Sequence, residues 1–226
     1  MNATKLKETY SNNYCNFNVI KKLFPSISNS NNNTNNNNNI NLINLKMDDV
    51  GKYSISLPKT ANLITKIIKH HIEKNDNLNL NKLIITDATA GIGGNTISFA
   101  NNFFKVNAIE INKKRFDFLK NNINVYNFEN VEIINSDYIK IMKTLNQDIV
   151  FIDPPWGGRN YKNINLLNIN LSGKSLESIC QEMKHKTKLL VLKVPLNYNI
   201  KGMIKNINAN IYQYKIKKMF IVVVEY

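Results

Sequence analysis

Residues 83–100 read LIITDATAGIGGNTISFA. A short apolar run of strand type ends on the carboxylate of Asp87, and Gly91, Gly93 and Gly94 precede a stretch of helical character. In an open α/β sheet, ligands bind outside the carboxyl ends of the strands, where the chain switches direction. Glycines there let the backbone approach a ligand and adopt positive φ. The next apolar run, KVNAIEI, ends at Glu110. That is about the separation at which a ribose-binding carboxylate is expected after a glycine loop. Two ribose hydroxyls are donors, and one carboxylate can accept from both.

The loop also narrows the choice of ligand. Its order, Gly-Ile-Gly-Gly-Asn-Thr, departs from G-x-G-x-x-G at the third glycine, and no G-x-x-x-x-G-K-[ST] is present to cradle a triphosphate. A carboxylate ahead of the glycines repels a pyrophosphate but suits an ammonium group. S-adenosylmethionine carries an amino acid, a ribose and a cationic sulfonium, and fits better than a phosphate-bearing cofactor. Glycines alone also make tight turns, so the loop by itself is weak. Asp137 after the third apolar run and Asp153 after the fourth strengthen it, because successive strand ends then each carry an acid.

Outward from that loop, helix-like and strand-like segments alternate. PKTANLITKIIKHHIE begins with a proline and spaces Ala61, Ile64, Ile67, Ile68 and Ile72 near the helical period. KKRFDFLKNNINVY is a second helix, with Phe116, Leu119 and Ile123 on one side; YIKIMKTL and SLESICQEMKH are further helices. KLIITD, KVNAIEI, VEIINSD, DIVFID and KLLVLKV read as strands, and IYQYKIKKMFIVVVEY as an antiparallel hairpin turning at Lys217 and Lys218. Repeated βα units with apolar strands predict a mostly parallel sheet covered on both faces.

The fourth strand runs into DIVFIDPPWGGRNY, residues 148–161. An acid, two prolines and an aromatic suit methylation of an amine conjugated to a ring, whose lone pair is delocalised. Accepting the amine's hydrogens, on a side-chain oxygen and a proline-fixed carbonyl, turns the lone pair toward the methyl donor, and rigidity lowers the entropic part of the barrier. The aromatic ring stacks on the flat substrate. Trp156, the single tryptophan, would ordinarily be a core or lid residue. Its place between Pro155 and the Gly157–Gly158 pair, at the ligand edge, favours stacking, and a cationic base such as 7-methylguanine suits an indole.

Composition adds limits. With 30 basic and 16 acidic residues the net charge is +14, which points to an anionic partner, nucleic acid above all. The same excess also follows from a Lys-, Asn- and Ile-rich chain with only Arg115 and Arg159 as arginines. Cys15 and Cys180 are too few for a disulfide framework, and the N-terminus lacks a signal-type apolar core, so an intracellular protein without membrane association is expected, its compartment open. His70 and His71 read as a solvated helix end rather than a metal site. The tract SNSNNNTNNNNNINLIN, with its surroundings at residues 27–45, reads as a disordered linker. It separates a short N-terminal helical extension (1–26, with VIKKLF as its helix) from a domain at 46–226.

At DATAGIGGNTISFA, VNAIEINKKRFDFLKNNINVY and DIVFIDPPWGGRNY the chain resembles the trimethylguanosine synthases, which methylate the 2-amino group of an existing 7-methylguanosine cap. GKYSISLPKTANLITKI is similar to that family's segment before the first strand, and the resemblance covers roughly residues 50–160 well. It implies a class I S-adenosylmethionine-dependent methyltransferase: a Rossmann-like, seven-stranded, mostly parallel sheet with an antiparallel C-terminal hairpin. It implies cofactor contacts at Asp87, Ala88, Gly91, Gly93, Asn95 and Thr96, with Glu110, Asp137 (near the adenine amine) and Asp153 completing the set. It implies catalytic roles for Asp153, Pro154 and Trp156, stacking of Trp156 on the methylated guanine, and phosphate contacts from Arg159 and Lys193. Leu57 stands where the family often has a hydroxyl, Asp153 where many members have serine, and Leu196 where a basic cap contact is common. The expected partner is 7-methylguanosine-capped RNA, and the expected state a monomer. Methylation of adenine or guanine in structural RNA or DNA, and a silent cap-binding module, are the alternatives.

Overall fold

The computed structural model describes residues 17–26, 41–74 and 79–226. Three helices lead into the sheet: α1 (Phe17–Leu23), α2 (Asp49–Ser54) and α3 (Pro58–Glu73). Pro58 opens α3, where its missing N–H costs nothing, and Ala61, Ile64, Ile67, Ile68 and Ile72 are all buried, as the spacing predicts. Next come β1 (Ile84–Asp87), α4 (Gly94–Ala100), β2 (Lys105–Ile109), α5 (Lys113–Val125) and β3 (Val131–Ile134). Then follow α6 (Tyr138–Ile141), β4 (Ile149–Ile152), β5 (Asn170–Leu171), β6 (Lys174–Ser175) and α7 (Leu176–Met183). The chain finishes with β7 (Leu189–Pro195), α8 (Ile200–Ile204), β8 (Asn210–Ile216) and β9 (Met219–Glu225).

The main sheet has seven strands in the order β3-β2-β1-β4-β7-β9-β8. β3, β2, β1, β4 and β7 run parallel, while β9 pairs antiparallel with both β7 and β8. Every residue of β4 and β7 is buried, as strands covered on both faces require. Alternate side chains feed different cores. Ile149 and Phe151 pack with Ile64, Ile68 and Phe99 of α3 and α4, and Val150 and Ile152 with Ile179 and Met183 of α7. The chain leaves β1 for β2 and β3 on one side and returns to β4 on the other. The switch point therefore lies between the carboxyl ends of β1 and β4, at Asp87 and Asp153.

Several expectations are modified. VIKKLF is helical up to Leu23, where α1 ends, and Ile20, Leu23 and Phe24 are buried against Ile92 and Tyr126; residues 1–16 lie outside the described residues. So do residues 27–40 of the asparagine tract, but residues 41–45 pack onto the domain, because Leu42 and Leu45 are apolar and buried. His70 is exposed as expected. His71 is buried instead: the hairpin covers it, Tyr214 Oη lies 2.8 Å from its Nε2, and burial lowers its pKa.

Candidate active site

The glycine loop closes on Glu110. Gly91 and Gly93 take φ values of +58° and +105°, which favour glycine. Glu110 Oε2 accepts the Gly91 N–H at 2.9 Å and Oε1 the Asn112 N–H at 2.8 Å. Arg115 Nε lies 3.5 Å from Glu110 Oε1, and its Nη1 lies 3.8 Å from Asp48 Oδ2 at the start of α2. Gly94 has a different reason for being glycine: a Cβ there would meet Ile55 Cγ1 at 2.6 Å and the Ser56 carbonyl oxygen at 2.9 Å. Residues 55–56 cross directly over the start of α4.

Asp87 is fully buried. Its Oδ2 accepts from Thr96 Oγ1 at 2.7 Å, and its Oδ1 has no hydrogen-bond partner. Burial pushes its pKa up to about 7, opposed by the Thr96 hydroxyl and by the nearby Thr89 backbone N–H, and reinforced by the negative charges of Asp153 and Glu110. An unpaired buried carboxyl oxygen is rare and marks a position at which a cation or donor would be favoured. Asn95 Oδ1 is likewise buried and unpaired, while its amide donates to Ser56 Oγ at 3.1 Å.

A cleft of about 590 Å³ opens along the carboxyl edge of the sheet. Ala88, Gly91, Asn95, Glu110, Asp137, Asp153, Pro154, Trp156 and Lys193 all line it. Asp87, Gly93 and Thr96 are not among its lining; Gly93 faces Leu119 of α5. Asp137 caps α6, accepting the Ile139 N–H on Oδ1 at 3.0 Å.

On the β4 side, the Asp153 N–H donates to Thr89 Oγ1 at 2.9 Å, so the two loops are tied. Pro154 is buried and Pro155 exposed. Trp156 is half-buried; its Nε1 donates to the Lys193 carbonyl at 3.3 Å, and Tyr161 meets its ring edge-on with centroids 5.2 Å apart. Gly157 and Gly158, at φ +90° and +71°, turn the chain away into a 3-10 turn over Gly158–Asn163.

Lys193, expected to face a phosphate, is only 6% exposed. Its Nζ lies 2.6 Å from Asp153 Oδ2 and 2.9 Å from Ser56 Oγ, so an internal ion pair has claimed the charge. The side chain of Arg159 lies outside the described residues. Leu57 heads α3 without a side-chain capping bond, Leu196 is 40% exposed, and in the segment before α3 Ser54 and Ser56 line the cleft. Sequence reasoning did not single out Ser56, Thr89, Arg115 as a partner of Glu110, or Tyr161. A hydroxyl two residues before Pro58 was the available signal for Ser56.

This sheet order, with a glycine loop after β1 and acids at the ends of β1 to β4, is that of the class I S-adenosylmethionine-dependent methyltransferases. The family described as RNA cap guanine-N2 methyltransferase matches residues 82–225, and the chain belongs to it. Over 232 residues the chain is 34% identical to the uncharacterized protein L320 of Acanthamoeba polyphaga mimivirus, covering 93% of this chain and 87% of that protein. It is 28% identical over 157 residues to the trimethylguanosine synthase of Schizosaccharomyces pombe, covering 66% of this chain and 62% of the synthase. Among solved structures, the fold is similar to that of the T. thermophilus 16S rRNA N2 G1207 methyltransferase in complex with AdoMet and guanosine. The TM-score is 0.57 at 11% identity, over 80% of this chain and 43% of that one. No helix among the described residues is long and apolar enough to cross a membrane.

Proposed function

We propose that this protein transfers methyl groups from S-adenosylmethionine to the exocyclic 2-amino group of a 7-methylguanosine RNA cap, giving di- or trimethylguanosine. The observation that carries the proposal is that the half-buried Trp156, Asp153 and Pro154 share one cleft with Glu110, Asp137 and the glycine loop. Membership in a cap guanine-N2 family supports the acceptor.

The residues fit the cofactor. Asn95 lines the cleft with a buried Oδ1 that has no partner and could accept from an ammonium, while Asp87, buried outside the lining, would favour a cation there through its charge. Gly91 has no atom within 4 Å of where a Cβ would stand, so the loop leaves room for close approach. Glu110 would hold the ribose hydroxyls and Asp137 the adenine amine, with Ala88 and Asn95 lining the path between them. When bound, S-adenosylmethionine supplies a methyl group made electrophilic by its positive sulfur. The chain's own task is to orient the nucleophile. Asp153 engages Lys193 through Oδ2, leaving Oδ1 to accept an N–H of the guanine amine. The Pro154 carbonyl, rigid between two prolines, would accept the other, so that the lone pair faces the methyl. Trp156 would stack on the base, and its tie to the Lys193 carbonyl fixes the indole. The amine's proton can leave after methylation, so no strong general base is required.

Calorimetry with 7-methylguanosine diphosphate and guanosine diphosphate, in the presence of S-adenosylhomocysteine, tests the acceptor. Tighter binding of the methylated nucleotide is expected; equal affinities would favour methylation of internal purines.

A further inference from the structure

We infer that Lys193 is a positioning residue, its ammonium buried between Asp153 and Ser56 and its carbonyl on Trp156, so that one side chain and its backbone set the charge and placement of both acceptor-facing groups. The inference rests on the reading that Asp153 and Trp156 meet the methyl acceptor.

The sheet register makes the pair. β4 and β7 run parallel with Ile152 opposite Leu192, so Asp153, the residue after β4, comes beside Lys193, two residues before the end of β7. Lys193 stands in a strand that is otherwise wholly apolar, and burying an ammonium there costs several kcal/mol unless it is paired. Two of its three donors are taken, at 2.6 Å by Asp153 Oδ2 and at 2.9 Å by Ser56 Oγ. Ser56 Oγ also accepts from Asn95 at 3.1 Å, so the ammonium is braced from the cofactor-loop side. The same residue reaches Trp156 twice. Its carbonyl accepts the indole N–H, and its Nζ lies 5.7 Å from the ring centroid.

The arrangement decides what Asp153 can do. The titratable groups facing it are Lys193 from β7 and Asp87 from β1; Thr89 and Ser56 face it as neutral hydroxyls. Burial raises the Asp153 carboxyl above its ordinary range, and the Lys193 ammonium pulls it back. A protonated carboxyl could donate to the guanine amine rather than accept from it. The pair keeps Asp153 an acceptor and, being neutral as a unit, leaves the indole available to a cationic base.

Titration of protein labelled with ¹³C at the aspartate carboxyls, assigned through Asp153→Asn, tests this. In Lys193→Met the Asp153 midpoint should rise by about 2 pH units, and in Lys193→Arg by less than about 1. At pH 7 the kcat of Lys193→Met should fall by about 30-fold or more while the KM for S-adenosylmethionine changes by less than about 2-fold, with activity partly regained at higher pH. An unchanged midpoint, or a pH-independent loss shared equally by cofactor affinity, would overturn the inference. Should Lys193→Met fail to fold, Asp153→Asn is compared with Asp153→Asn/Lys193→Met. The single variant, which strands the ammonium, should melt lower than the double one, and the reverse order would overturn the pairing. The midpoint needs no acceptor. A shifted midpoint in an enzyme that methylates no cap nucleotide would reject the functional reading and leave the ion pair standing.

Discussion

The Glu110 carboxylate at the end of β2 accepts the backbone N–H of Gly91 in the loop after β1, at 2.9 Å. The residue proposed to hold the ribose therefore also shapes the loop against which the cofactor lies. Glu110→Ala removes both functions and leaves Arg115 with only the longer contact to Asp48. Affinity for S-adenosylhomocysteine should fall by about 10- to 100-fold, and stability by about 1–3 kcal/mol. Calorimetry and denaturant unfolding check the two effects separately.

Asp87 makes the ligand-free protein pH-sensitive. Its folded pKa of about 7 lies above the ordinary 3.8, so the folded state binds the proton more tightly than the unfolded chain does. That contribution is complete below about pH 4 and is lost as pH rises through about 7. The melting temperature should fall from pH 5 to pH 8, and Asp87→Asn should flatten the dependence. The gain in melting temperature on adding S-adenosylmethionine should be larger at pH 8 than at pH 5, and small at both in Asp87→Asn. A flat profile in the native sequence would contradict the buried-carboxyl account.

Trp156 is partly open to the cleft, with Tyr161 at its edge. Trp156→Ala should cost about 1–3 kcal/mol of 7-methylguanosine nucleotide binding, with cofactor affinity nearly unchanged. Equal losses of both in calorimetry would make the indole a structural residue.

Gly94→Ala would push a methyl group against the Ser56 carbonyl, and backbone does not yield as a side-chain tip would. About 1–3 kcal/mol of stability should be lost. Because Ser56 braces Lys193, turnover should drop further than cofactor affinity does. Thermal melts and steady-state kinetics on the same sample separate the effects.

The sheet was legible because its strands are short apolar runs separated by helical periods, and β4 and β7 are buried throughout, as such runs require. The hairpin at Lys217–Lys218 was legible for the same reason, with Lys217 taking φ +52° at the turn. β5 and β6 escaped notice because two residues each carry no periodicity; Ser172 and Gly173 between them were the remaining cue. The acids at the strand ends were visible one by one, but their partners were not. Lys193 lies 40 residues from Asp153, and Ser56 lies 137 from Lys193. A lysine in an apolar strand looks the same in sequence whether it reaches solvent or is buried as a counter-ion. His71 was misread for a similar reason, since its cover comes from a hairpin more than a hundred residues later.

The most direct measurement is mass spectrometry of the nucleoside released after the protein has acted on 7-methylguanosine-capped RNA with isotope-labelled S-adenosylmethionine. Labelled methyl is expected on the 2-amino group of the cap guanine, and none on the same RNA carrying an unmethylated cap. Label confined to internal bases, or found equally on both caps, would contradict the proposed function.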